Sequence, residues 1–212
     1  MVLVTAATDD PDSLGAPASE ADRAAVASQL GRPVRGDIRV AHRCPCGQPD
    51  VIATPPRLPD GSPFPTTFYL TCPRATAALS TLESEGLMAR LSQRLESDEQ
   101  FAEAYRAAHV DYLDRRAALA AAAGVGEVPE IETVSAGGMP GRVKCLHALA
   151  AHALAAGPGV NPVGDVALAE LTARGMWDTA TPCVARTVAA IDCGTNSIRM
   201  LIASAVGQDL TD

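Results

Sequence analysis

The sequence predicts an α+β protein in which a small antiparallel sheet with irregular Pro- and Gly-rich loops packs on several helices. Short β-prone segments, 38–41, 50–53 and 66–70, fall before residue 72 and are separated by the loops 44–49 and 55–65. Beyond Cys72 the apolar residues recur at helical spacing instead. Hydrophobic residues make up 47% of the 212 and charged residues 20%, enough to build a core. Aromatics are only 3%, so that core is made of Ala, Leu and Val.

In chain order, residues 1 to about 19 show no apolar period and read as a disordered leader. Ser19 caps a helix over Glu20–Leu30, which Gly31 and Pro33 end. Three β segments follow. Pro73 suits a first helical position, Leu79 and Leu82 form an apolar face, and Gly86 interrupts it. Leu87, Leu91 and Leu95 mark the next helix. Ser97 with Gln100 has the form of a capping box, and Phe101, Tyr105, Ala108 and Tyr112 make a buried stripe, with His109 beside it in a structural role. A loop runs through Gly138, a helix is expected from Arg142 to Ala156, and a last short one from Asp165 to Arg174.

Charge and length limit the function. A net charge of −8 leaves no basic face for phosphate neutralisation, so nucleic acid is not an expected partner. No apolar run approaches a membrane span, and no signal peptide is visible, which makes the expected location cytoplasmic. In that reducing compartment six cysteines serve better as thiols or metal ligands than as disulfides.

Cys44 and Cys46 lie in a Pro- and Gly-containing turn, Cys72 directly precedes a helix, Cys145 falls inside one, and Cys183 is in a Pro-flanked tail. If 142–156 is one helix, Cys145, Leu149 and His152 share a face, whereas His147 points about 200° away. Thiolates with an imidazole suit tetrahedral zinc, and four thiolates suit zinc or an iron–sulfur cluster. The plainer reading is that Cys is a small buried hydrophobe in an Ala-rich core. A different class of function would use Cys145 as a reactive thiol, with the sole lysine, Lys144, and a helix N-terminus lowering its pKa. Gly137-Gly138-Met139-Pro140-Gly141-Arg142 also offers an anion, such as phosphate, a place at that N-terminus.

Several ordered motifs now stand together: Cys44-x-x-Gly47-x-Pro49, Asp60-Gly61-x-Pro63-Phe64-Pro65-Thr66, Leu70-Thr71-Cys72-Pro73, Gly138-Met139-Pro140-x-Arg142-Val143-Lys144-Cys145-Leu146-His147 and Asn161-Pro162-Val163-Gly164. Over residues 22–178 the chain resembles the bacterial domain-of-unknown-function 501 family, which brings no established activity with it. The resemblance implies that Cys44, Cys72 and Cys145 are the characteristic thiols and that Cys46 is not a ligand. Cys183 or His152 is then the fourth ligand to zinc or an iron–sulfur cluster.

The segment Val188-Ala189-Ala190-Ile191-Asp192-Cys193-Gly194-Thr195-Asn196-Ser197-Ile198-Arg199 is similar to the opening strand, turn and strand of the Ppx/GppA exopolyphosphatase family. That resemblance implies phosphate and cation contacts from Asp192, Gly194, Thr195, Asn196 and Ser197 and removes Cys193 from the ligand set. Residues 181–212 are expected to be a truncated, non-catalytic fragment of an actin-like ATPase. An accessory role in phosphate or polyphosphate metabolism is the function this tail would suggest.

Overall fold

The computed structural model describes residues 14–183, 186–194, 197–206 and 209–211. Its first sheet has the order β1 (Ala16–Pro17), β2 (Arg39–Arg43), β3 (Pro49–Ala53), β4 (Phe68–Leu70), all antiparallel. Six helices accompany it among the described residues: α1 (Glu20–Leu30), α2 (Pro73–Ser84), α3 (Leu87–Ser97), α4 (Glu99–Ala122), α5 (Leu146–Ala156) and α6 (Pro162–Ala173). The architecture is α+β, as the two textures of the sequence predict.

Every residue of β3 is buried, so both faces of the sheet are covered. Alternation along the strand divides the work. Ile52 joins Val26 of α1 and Ile38 in a small layer on one side, while Val51 and Ala53 face the main core with Phe68 and Leu70 of β4. That core is closed by Leu79 and Leu82 of α2, Leu91 of α3, Tyr105 and Tyr112 of α4, Leu146 and Leu149 of α5 and Leu171 of α6. The predicted stripe on α4 is fully within it.

Helix ends follow local chemistry. Ser19 and Asp22 form a reciprocal capping box on α1, and Gly31 ends that helix at φ 65°. Four boundaries differ from the sequence reading. Ala16–Pro17 is not part of a leader but an edge strand on Arg39 and Val40; residues 1–13 lie outside the described residues. Asp98, not Ser97, caps α4, its carboxylate accepting the Phe101 N–H at 3.0 Å. Asn161 caps α6 through the Gly164 N–H at 2.9 Å, so that helix begins three residues early, at Pro162.

The fourth difference matters for function. α5 begins at Leu146 rather than Arg142, with Cys145 as an extended cap residue (φ −155°, ψ 110°). The preceding residues fold back on the glycine pair, with Lys144 N–H donating to the Gly137 carbonyl (2.7 Å) and Arg142 N–H to that of Gly138 (3.1 Å). At Gly138, where φ is 94°, a Cβ would stand 2.5 Å from the Arg142 carbonyl oxygen, so only glycine allows this return. Residues 142–145 are therefore committed to a turn before the helix starts.

Beyond residue 183 the backbone of β5 (Arg186–Gly194), β6 (Ser197–Val206) and β7 (Asp209–Thr211) forms a second antiparallel sheet, with Gly194 paired to Ser197. None of the helices of the described residues is long and apolar enough to cross a membrane.

Candidate metal centre

The hairpin between β2 and β3 carries two cysteines on a short turn. Cys44 N–H donates to the Gln48 carbonyl at 3.0 Å and Gly47 N–H to the Cys44 carbonyl at 2.8 Å. Gly47 turns the chain at φ 89°, and Arg43 reaches over to its carbonyl at 2.8 Å. Cys46 is held inside this loop, pointing the same way as Cys44 rather than into solvent: the two are 8% and 3% exposed. The chain returns after α6 to bring Cys183 onto them, 7% exposed. Its sulfur lies 3.5 Å from that of Cys46, and its backbone N–H donates to Cys44 Sγ at 3.3 Å.

The sulfurs of Cys44, Cys46 and Cys183 all lie within 4.8 Å of one another. Cys72, wholly buried at the cap of α2, interacts with the Cys183 thiol from outside this trio. It also shares with Cys183 the lining of a cavity of about 250 Å³ that includes Gln29, Gln48 and Arg74. Arg74 fixes the return of the chain by donating to the Cys183 carbonyl at 3.1 Å. The five described cysteines form no disulfide.

Backbone amides are aimed at these sulfurs. Burial pushes the Cys44 thiol up, opposed by the N–H groups of Cys46 and Cys183. Burial also opposes ionisation of Cys46, but the Gln48 N–H together with the thiols of Cys44 and Cys183 pulls it down overall. Cys183 is pushed well above the ordinary thiol range, by burial first and then by its sulfur neighbours. One negative charge is thus comfortable in the cluster and several are not, unless a cation joins them.

Cys145 is elsewhere. As the cap of α5 its side chain leaves the face that holds His152, and it meets His147 instead, with Sγ 3.9 Å from Nδ1. The pairing with His152 expected from helical spacing fails because the helix had not begun at Cys145. His152 is fully buried, stacked on Phe68 and edge-on to Tyr112. Its ring nitrogens are engaged by Asp111 (2.8 Å) and Asn161 (3.1 Å), so it is a core histidine and not a ligand of the cysteines.

His147 completes a second group. Its Nδ1 is 3.1 Å from Glu83 Oε1, and the same carboxylate oxygen accepts the Leu146 N–H at 2.7 Å. The N-terminus of α5 therefore already faces an anion supplied by α2. Burial opposes ionisation of Cys145, but His147 and the Ala148 N–H lower its pKa overall. Through Cys145 foremost, and Glu83 after it, His147 is raised to about 9. The partner of Cys145 is His147, not Lys144.

The sequence-predicted set thus divides. Cys44 and Cys183 come together with Cys46, Cys72 lies beside Cys183 outside that trio, Cys145 stands with His147 and Glu83, and His152 belongs to the core. Cys46 was legible only as half of a C-x-C pair, a spacing that gains meaning from the tight hairpin around it. For the exopolyphosphatase-like segment, Thr195 and Asn196 lie outside the described residues, as do the side chains of Asp192 and Ser197, and Gly194 is described by its backbone pairing alone.

Among families of known sequence, one described as "Protein of unknown function (DUF501)" matches residues 40–169. Nothing in the comparisons supports a Ppx/GppA relationship for the segment after it. No curated protein and no solved structure matches the chain. The family match spans the hairpin of Cys44 and Cys46, the cap at Cys72 and the turn into α5, and so covers most of the folded body: this chain belongs to the DUF501 family.

Proposed function

We propose that this protein is a zinc-binding domain whose ion is held by Cys44, Cys46 and Cys183, with Cys72 as the fourth thiolate. The observation that carries this is the convergence of three buried sulfurs within 4.8 Å from positions 139 residues apart in sequence. A tetrahedral zinc with Zn–S bonds of about 2.3 Å sets its sulfurs about 3.8 Å apart. The Cys46–Cys183 separation of 3.5 Å is close to that edge. An iron–sulfur cluster places at most two of its cysteines on one iron and spreads the others further, so three mutually close sulfurs favour a single ion over the cluster. The amide groups that point at Cys44 and Cys46 supply the outer hydrogen bonds that thiolate ligands need. Bound there, the ion ties the β2–β3 hairpin to the start of α2 and to the chain beyond α6, which makes its role structural.

Elemental analysis of protein purified without added chelator tests this. Zinc bound through several sulfurs is the expected result, and that multi-thiolate ion is lost in the double variant Cys46→Ser/Cys183→Ser. A folded, metal-free protein that takes up no zinc on titration would overturn the proposal. Bound iron with a visible charge-transfer spectrum would replace zinc by the cluster.

A further inference from the structure

A second donor set assembles at the first turn of α5, at the opposite end of α2 from Cys72. Glu83 comes from the last turn of α2, Cys145 caps α5, and His147 stands on its first turn. One ligand atom from each lies within 4.8 Å of the other two. The orientation of His147 is fixed from behind: its Nε2 is 3.0 Å from the Thr76 carbonyl oxygen, which only accepts, so that nitrogen carries the proton. Its Nδ1 is thereby turned toward Cys145 Sγ and Glu83 Oε1, and a bound ion would take the place of the proton it shares with that carboxylate. An imidazole that donates its far N–H to a backbone carbonyl while its near nitrogen faces a thiol and a carboxylate is the arrangement that orients metal-ligating histidines.

The separations agree. For a tetrahedral zinc with bonds of about 2.3 Å to sulfur and about 2.05 Å to nitrogen, the S–N edge is about 3.6 Å and the N–O edge about 3.4 Å. The observed S–N distance of 3.9 Å is slightly longer and the N–O distance of 3.1 Å slightly shorter than these edges, and 3.9 Å is long for a hydrogen bond that alone would hold the two side chains. We propose that Glu83, Cys145 and His147 form a second zinc site, with three protein ligands and one open position. The thiol centre is buried, but here His147 is 24% and Glu83 22% exposed, so the fourth position opens toward solvent. Three protein ligands and an accessible fourth position are what a zinc ion needs to hold water or a small anionic ligand.

The experiment is zinc titration of the full chain under reducing conditions, followed by removal of loosely bound metal and measurement of the zinc-to-protein ratio. Two equivalents are expected. Cys145→Ala and His147→Gln each lose one and keep the other, whereas Cys46→Ser/Cys183→Ser loses the opposite one, so the two sites fail separately. Cobalt substitution gives a second readout: the ion lost from Cys145→Ala has a single thiolate and a weak sulfur charge-transfer band. Iodoacetamide labelling of the unaltered protein needs no variant, and zinc is expected to slow reaction of Cys145 at least tenfold. A folded Cys145→Ala protein with the wild-type ratio, or Cys145 labelling equally fast with and without zinc, would overturn the site. In that outcome the three residues are an activated thiol with its ion-paired histidine.

Discussion

Asp22 shows how much one carboxylate does in this fold. It completes the capping box of α1 and receives Arg43 of β2 at 2.6 Å, joining helix to hairpin. The Arg43 hydrogen bond, with those from Ser19, lowers its pKa to about 2 from an ordinary 3.8. A depressed carboxylate stabilises the fold above its unfolded value and loses that contribution as pH falls from about 4 through about 2. Carboxyl NMR of Asp22 is expected to titrate near 2, and in Arg43→Ala to move back toward 3.8. His152 makes a contrasting case. His152→Ala opens a cavity beside Phe68 and Tyr112 and removes one hydrogen-bond partner each from Asn161 and Asp111, at an expected cost of about 2–5 kcal/mol in denaturant unfolding. Its zinc content is expected to be unchanged, since the histidine touches no cysteine.

The contact between α5 and α6 depends on a missing side chain. At Gly164, a Cβ would meet the Leu149 carbonyl at 2.3 Å and the Ala153 methyl at 2.7 Å, so the two helices pack backbone to backbone. Gly164→Ala must push them apart, and thermal or chemical unfolding is expected to show a loss of about 1–3 kcal/mol despite the gain in helix propensity. The start of α5 depends in turn on α2. Leu146 N–H is an orphan donor of the first turn, and Glu83 satisfies it. Glu83→Gln keeps a carbonyl acceptor there but removes the charge that the helix N-terminus favours, so stability is expected to fall by less than about 1 kcal/mol.

Taken as a whole, the molecule has two ways of holding itself together. Helices α2 to α6 and the sheet share one apolar core, which is continuous without any ion. The hairpin loop around Cys46 and the chain from Arg174 to Cys183 meet at buried sulfurs, and polar contacts hold them as well, Arg43 to Asp22, Arg74 to the Cys183 carbonyl and Arg174 to Glu85. A structural zinc ion at the proposed centre would supply on the order of 10 kcal/mol of binding free energy, acting on the segments it joins. Chelation is therefore expected to lower Tm and to speed amide exchange in residues 44–48 and 176–183. Exchange in α4 and α5 is expected to change little.

Periodicity and end signals made much of this legible beforehand. Ser19 and Gly31 bound α1, Pro73 opens α2, and the Phe101–Tyr112 stripe is buried, because each depends on residues within a turn or two of one another. That cysteines would gather into a group able to hold a metal ion was also legible, since sulfur is the scarce and reactive element of this composition. Which sulfurs meet was not. Cys46 joins the trio because Gly47 and the Gln48 carbonyl fold the loop inward, and Cys145 leaves it because Gly137 and Gly138 delay a helix that spacing alone starts at residue 142. By itself, then, the sequence determined the α+β class, most of the helices and the kinds of ligand atom available. Only the tertiary structure decided which sulfurs converge and the meeting of Cys145 with His147 and Glu83. A shift of four residues in a helix start redirects every side chain before it, and contacts across 139 residues have no local signature.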